Sequence, residues 1–312
     1  KIKIPKYFRI PIISELCITE YVIRCYAKSL NYVPLPTQDK SRRYSINFNL
    51  NKRKRWGVYA RVIKTLFDSL DDSVKNLPQN EKIKVIMEKK NHGFGKACNI
   101  GAKHVEEKYI LFLNPDTKVF KNTIKKNIEF MENIENNKIS IVGSKMLDNN
   151  DNVVKSCSRF PSISTIFFKS TGLDFFFKKR GMLMREFDHC TSRIVDQIIG
   201  AFFMIRTDIF KKLDGFDEIF FLYMEEVDLS YRSSLLGYNS FYNSDTECFH
   251  RGGVSSEKNK LSRQFNYLKS RLIYSKKHFS NLEHKSIIFF TLVLEFCSRI
   301  FFSIIKLSIK EI

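Results

Sequence analysis

Ile110, Leu111, Phe112 and Leu113 are apolar without alternation, the pattern of a strand buried on both faces within a sheet covered by helices. Asn114, Pro115 and Asp116 follow, and a proline cannot donate to a ladder, so the strand must end there. Upstream, KIKVIM (82–87) predicts a short strand, NHGFG (91–95) a glycine-bearing turn and KACNIGAKHVEE (96–107) a helix. A strand, helix, strand order of this length predicts a right-handed parallel unit. Residues 121–136 predict a helix, IVGSKML (141–147) a strand, and IIGAFFMIR (198–206) another apolar strand, followed by a short helix and the turn LDGFDE. Residues 151–195 are irregular, aromatic and basic. Helical spacing through Val227, Tyr231 and Leu235 then runs to a stop at Gly237. Together these elements predict an α/β fold.

The C-terminal stretch IIFFTLVLEFCSRIFFSIIKLSI (287–309) carries a different pattern. It is apolar except for Thr291, Glu295, Arg299, Ser303 and Lys306, which recur every three or four residues. That spacing predicts a helix with a narrow polar stripe, lying either in a membrane interface or against the rest of the protein. A spanning helix would carry three charges across the bilayer.

Charge narrows the partners. The chain of 312 residues has a formal net charge of +20, which favours an anionic partner: nucleic acid, acidic lipid or a phosphorylated substrate. The basic runs KSRR (40–43), KRKR (52–55) and KKR (178–180) sit in no zinc-finger, basic-zipper or RNA-recognition pattern, which disfavours nucleic acid. The seven cysteines are scattered, odd in number and without a C-x-x-C pair, so neither a disulfide framework nor a zinc ribbon is expected.

Two clusters of acids carry candidate chemistry. Asp116 stands at the carboxyl end of a buried strand, where open α/β sheets bind ligands. Glu225, Glu226 and Asp228 put three acids in four residues at a helix start. The helix dipole favours one or two of them there, but three crowded together are costly unless a cation or a proton is shared.

NHGFGKACNIGAKHVEEKYILFLNPDT, together with GAFFMIRTDIFKKLDGFDEIFFLYMEEVDLSYRSSLLGYNSFYNSDTECFHRGGVS, closely resembles the rhamnosyltransferase-like branch of family 2 glycosyltransferases. These are inverting enzymes of the GT-A fold. The resemblance implies a Rossmann-like, mainly parallel sheet flanked by helices, with a C-terminal helical tail. It also implies Mg²⁺ or Mn²⁺ held by Asp116 and completed by His250. Asn91, Gly93, Phe94, Gly95, Asn99 and Asn114 would line the donor pocket, and Gly215, Phe216 and Asp217 would form the turn before the acceptor-side helix. The general base is an acid of the pair before V-D-L, Glu226 first and Glu225 second; the family usually has Asp where Glu226 stands, and the extra methylene moves the carboxylate by on the order of 1 Å.

The opening residues depart from that family. IPIISELCITEYVIRCYAKSL has a helix-like tail but lacks the expected Thr-Tyr-Asn, LNYVPLPTQDKSRRYSINFNLNKRKRW matches nothing, and FDSLDDSVKNL (67–77) makes Asp68 a candidate contact to the base. The chain therefore divides into a diverged N-terminal part of the nucleotide-binding half (1–80), a catalytic core (81–260) and a helical, membrane-associated tail (261–312). The implied activity moves rhamnose or a similar sugar from dTDP-rhamnose or a UDP-sugar to a glycan or lipid-linked acceptor, at the cytoplasmic face of an anionic membrane. The alternative is a catalytically inactive relative that binds glycan, membrane or a partner enzyme.

Overall fold

A computed structural model of the chain describes residues 91–114, 117–250 and 260–310, together with the segments 20–23, 30–34, 44–48, 61–65 and 86–88. In chain order its strands are β1 (Glu20–Ile23), β2 (Leu30–Pro34), β3 (Tyr44–Phe48), β4 (Arg61–Thr65), β5 (Ile86–Glu88), β6 (Tyr109–Leu113), β7 (Thr117–Val119), β8 (Ile139–Leu147), β9 (Val153–Val154), β10 (Cys157–Ser158), β11 (Arg193–Val195), β12 (Gln197–Ile198), β13 (Phe202–Arg206) and β14 (Asn239–His250). The helices are α1 (Phe94–Ala102), α2 (Thr123–Glu132), α3 (Ile163–Thr171), α4 (Thr207–Lys212), α5 (Glu225–Leu235), α6 (Lys260–His278), α7 (Asn281–Phe289) and α8 (Glu295–Lys310), the last two joined by a π turn at Phe290–Leu294.

The main sheet runs β11-β14-β8-β13-β6-β1-β4-β5, with β7 on β14 and β9 on β8. It is mixed. β4 with β5 and β8 with β14 are parallel neighbours, while β1 and β13 pair antiparallel with β6 on either side. Since β1 is also antiparallel to β4 and β13 to β8, β4, β5, β6, β8 and β14 all run one way, with β1 and β13 inserted between them in the opposite sense. The unit β5, α1, β6 is thus parallel, as expected, but its two strands are separated by β1 and β4.

Burial follows this arrangement. All five residues of β6 are buried. Ile110 and Phe112 join α1 and the Phe210–Phe216 region on one face, while Tyr109, Leu111 and Leu113 meet Ile124, Ile128 and Met131 of α2 on the other. An apolar run without alternation is the consequence of having helices on both sides.

Several elements differ from expectation. Within the segment expected to be helix-like, Glu20–Ile23 is a strand, in keeping with its β-branched Val22 and Ile23. The unplaced stretch after it contains the antiparallel pair β2/β3. IIGAFFMIR is two strands: Gln197–Ile198 pairs with Cys157–Ser158, and only Phe202–Arg206 enters the main sheet. The irregular region holds α3, which begins in a capping box between Ser162 and Thr165. The helix expected over 121–136 stops at Glu132, because Asn133 is extended at ψ 128° and caps a separate 3-10 turn.

Phe112 lies at ring-centroid distances of 6.3, 5.2 and 5.0 Å from Phe203, Phe210 and Phe216. Phe112→Ala should lower unfolding stability by about 3–5 kcal/mol, read from urea denaturation.

Candidate active site

The site is assembled where β6 ends. The Asn114 amide donates to the Ala201 carbonyl at 3.0 Å, and Thr117 Oγ1 donates to the same oxygen at 3.2 Å. The Thr117 amide donates to the Asn114 carbonyl at 3.0 Å. Across the sheet, Thr117 is in register with His250 at the end of β14. On the other side, the backbone of Gly200, next to Ala201, is near enough to the Glu226 carboxylate to favour its anion. Hydrogen bonds therefore join Ala201, Asn114 and Thr117 at the end of β6, and His250 stands in register with Thr117. The glycine is needed there, since a Cβ on Gly200 would lie 2.9 Å from the Phe94 ring.

Glu225 and Glu226 are the first two residues of α5. The chain reaches them through Tyr223 and Met224, both left-handed at φ 68° and 72°. Consecutive non-glycine residues in that region store strain, and such strain clusters at functional sites. Glu225 is 3% exposed; burial and the neighbouring Glu226 charge push its carboxyl well above the usual range. Glu226 is half-buried. Burial pushes it up to about 6, held there against the amides of Glu226, Gly200 and Val227, which favour the anion. In each acid Oε2 is buried without a hydrogen-bond partner. Of the two acids, Glu225 is the more strongly held in its neutral form.

The glycine-bearing loop serves this pair directly. Asn91 Oδ1 accepts from the Gly93 amide at 2.9 Å, and the Phe94 amide donates to the Phe221 carbonyl at 2.9 Å. Gly93 has φ 81°, and a Cβ there would fall 2.0 Å from that carbonyl oxygen. A Cβ on Gly95 would meet Phe216 Cβ at 2.9 Å and Glu225 Cβ at 3.4 Å. The close approach that these glycines permit is thus to the loop before α5. Asn99 clamps the same loop: its Nδ2 donates to the Phe216 carbonyl at 2.8 Å and its Oδ1 accepts the Phe216 amide at 2.9 Å.

Asp228 departs from its two acidic neighbours. It is fully buried and takes Arg232 Nε at 2.7 Å, Lys277 Nζ at 2.7 Å and His278 Nε2 at 2.6 Å. Burial pushes its pKa up, but the hydrogen bonds from His278 and Lys277 and the Arg232 charge outweigh it, leaving the carboxyl below its ordinary value. Arg232 also donates to the carbonyls of Leu213 and Gly215, and Lys277 reaches Asp217 at 2.6 Å. Asp228 thus ties the GFDE turn and α5 to α6, a role that its i, i+4 spacing to Arg232 foreshadows.

Asp68 and Asp116 lie outside the described residues. Among the described residues no group of three or more His, Cys, Asp or Glu gathers to hold a metal ion. What the structure supplies is His250 across from Thr117, the residue that follows Asp116 in sequence. A carboxylate suits Mg²⁺ or Mn²⁺, with imidazole as the less usual partner.

The model of the family "Glycosyl transferase family 2" matches residues 68–214. Residues 68–214 thus match a family 2 glycosyltransferase domain, which supports a glycosyltransferase, and that family's GT-A fold accords with the α/β sheet and helical tail described above. It is 27% identical over 210 residues to the rhamnosyltransferase WbbL of Escherichia coli K12, spanning 61% of this chain and 75% of that protein. It is 32% identical over 84 residues to an N-acetylglucosaminyl-diphospho-decaprenol L-rhamnosyltransferase of Mycobacterium tuberculosis, covering 27% of each. Among solved structures, Pyrobaculum calidifontis mannosyltransferase PcManGT, titled with GDP-Man and Mn²⁺, aligns at TM-score 0.43 and 11% identity over 72% of this chain and 56% of that one. Staphylococcus aureus TarS 1-349 aligns at 0.41 and 16% over 72% and 58%. The chain thus spans less than two thirds of those solved chains.

Asp228→Ala leaves Arg232, Lys277 and His278 without their common acceptor and should lower stability by about 3–5 kcal/mol. Because the folded carboxyl titrates below its ordinary 3.8, the stabilisation is complete above that value and is lost as pH falls through the lower folded one. Acid unfolding of wild type against Asp228→Asn checks the sign.

Proposed function

We propose that this chain is a metal-dependent, inverting glycosyltransferase that moves rhamnose from a nucleotide-diphosphate donor to a lipid-linked glycan. The observation that carries this is the adjacent acid pair at the start of α5, reached through the left-handed Tyr223 and Met224, in which burial raises Glu226 to about 6 and Glu225 well above the usual range. Both matched relatives are named as rhamnosyltransferases, one for a diphospho-decaprenol acceptor; this supports the donor sugar and the acceptor class.

Glu226 is the base. A base works best with a pKa near the operating pH, which fits Glu226 at about 6, whereas burial and the neighbouring Glu226 charge push Glu225 well above the usual carboxylate range. The acceptor hydroxyl gives its proton to Glu226 as its oxygen bonds to the anomeric carbon. The bond from that carbon to the donor diphosphate breaks on the opposite face, inverting the configuration. The backbone of Gly200 and the first amides of α5 favour its anion. Asp116 and His250 are the residues assigned to Mg²⁺ or Mn²⁺, which would neutralise charge on the departing diphosphate. Asn114 and the Asn91–Asn99 segment belong to the donor side.

Calorimetric titration with dTDP and UDP, with and without Mn²⁺, tests the donor site. Metal-dependent binding lost in Asp116→Ala is expected; no binding by folded protein would favour the inactive scaffold. Glu226→Gln should keep nucleotide binding and lower turnover by about 10²–10⁴-fold. In wild type, kcat/KM should fall tenfold per unit as pH drops below about 6, a limb that Glu226→Gln removes and Glu225→Gln retains.

A further inference from the structure

Residues 281–303 form a continuous helix long and apolar enough, by length and composition, to cross a membrane, yet the fold holds it against the protein by its polar side. Its buried positions are Ile287, Thr291 and Glu295, four residues apart. Glu295 is bonded to the buried Arg271 and to Arg299 at 2.6 Å, and Ser298 donates to the Ser170 carbonyl at 2.7 Å. The outward positions Phe289, Leu292, Phe296 and Ile300 are exposed, Phe296 at 63%. Their spacing of three and four residues places them on one face. A helix bathed in water on that side would be turned the other way.

A second apolar group extends this face. Phe175, Phe176 and Phe177 are 65%, 69% and 55% exposed and are followed directly by Lys178, Lys179 and Arg180, all exposed. The turn that carries them starts at Gly172, φ 74°, where a Cβ would lie 2.6 Å from the Phe302 ring; it is pressed onto the tail helix. Ring contacts of 5.6 Å (Phe168–Phe177) and 5.3 Å (Phe167–Phe290) carry the aromatic surface across α3. An exposed apolar patch of this extent marks an interaction site.

We propose that this surface docks on an anionic bilayer, with the helix in the plane of the interface and the Phe175–Phe177 turn inserted beside it. Three cations adjoin the three phenyl rings, and the chain carries +20; apolar groups rimmed by lysine and arginine match acyl chains beneath acidic headgroups. A second copy of the chain is less well matched, since an isologous pair brings two basic turns to the same interface. The helix lies along the membrane because Ile287, Thr291 and Glu295 pin successive turns to the protein, and the Glu295–Arg271 pair would lose its burial if the helix pulled away. This inference is independent of the transfer chemistry.

Flotation of the full chain with vesicles of phosphatidylcholine, alone or mixed with phosphatidylglycerol, tests it without any sugar. Wild type should float with the mixed vesicles and release at high salt. Phe175→Ser/Phe176→Ser/Phe177→Ser should lower the partition coefficient about tenfold per ring, and Lys178→Gln/Lys179→Gln/Arg180→Gln about fivefold per charge, with circular dichroism unchanged in both. Protein that stays free of both vesicle types overturns the proposal. So does light scattering that shows a dimer dissociated by the phenylalanine variant, or membrane association that survives high salt and alkaline extraction, which would mark a spanning helix.

Discussion

The contact between Gly93 and the carbonyl of Phe221 governs the rest of the site. No side chain fits between them: an added Cβ would stand 2.0 Å from the oxygen. This closeness lets the Phe94 amide bond to Phe221 and brings the start of α1 against the loop that delivers the two acids. The loop is then over-determined. Asn99 fixes Phe216 by both its amide and its carbonyl, Phe216 is locked among Phe94, Phe112 and Phe210, and Phe220 and Met224 are buried with Tyr274 of α6. Such packing offsets the strained conformations of Tyr223 and Met224, each costing on the order of 1–3 kcal/mol.

From that placement come the unequal environments of two identical side chains. Glu225 is enclosed among Gly95, Phe216 and the helix start, and its neighbour's charge further discourages ionisation. Glu226 is less enclosed and has the Gly200 backbone near enough to favour its anion. Pushing apart the pKa values of adjacent carboxyls is how one site separates a proton acceptor from a neutral companion.

β6, α1 and α5 were legible in the sequence because their signals are local: an apolar run stopped by proline, a glycine-bearing turn, a helical stripe ended by Gly237. The pairing of β6 with β1 was not, since it joins residues distant along the chain and β1 looked helical. α3 was hidden in an aromatic, basic stretch whose only start signal is the Ser162–Thr165 cap. β14 was missed because polar residues interrupt it; Asn243 and Thr246 are satisfied by a buried network with Asn127 and Ser144 that no local pattern reveals. Of the acids, the sequence marked three together, and only the fold separates Asp228, which binds structure, from the other two. The tail's polar stripe was read correctly as a stripe, but its inward direction depends on Arg271, which lies in another helix.

Asp228 also gives α5 and α6 a common frame. Through Lys277 and His278 it fastens the carboxyl end of α6 to the helix that begins with Glu225 and Glu226, while Arg271, further back on α6, grips Glu295 of the tail. Two points along α6 thus connect the helix that begins with Glu225 and Glu226 to the outward apolar surface through polar contacts rather than through a hinge. Were that surface to rest on lipid, the fold would act as a gauge, setting one height above the headgroups at which a hydroxyl could meet Glu226, so that reach, and not only shape, would select the acceptor.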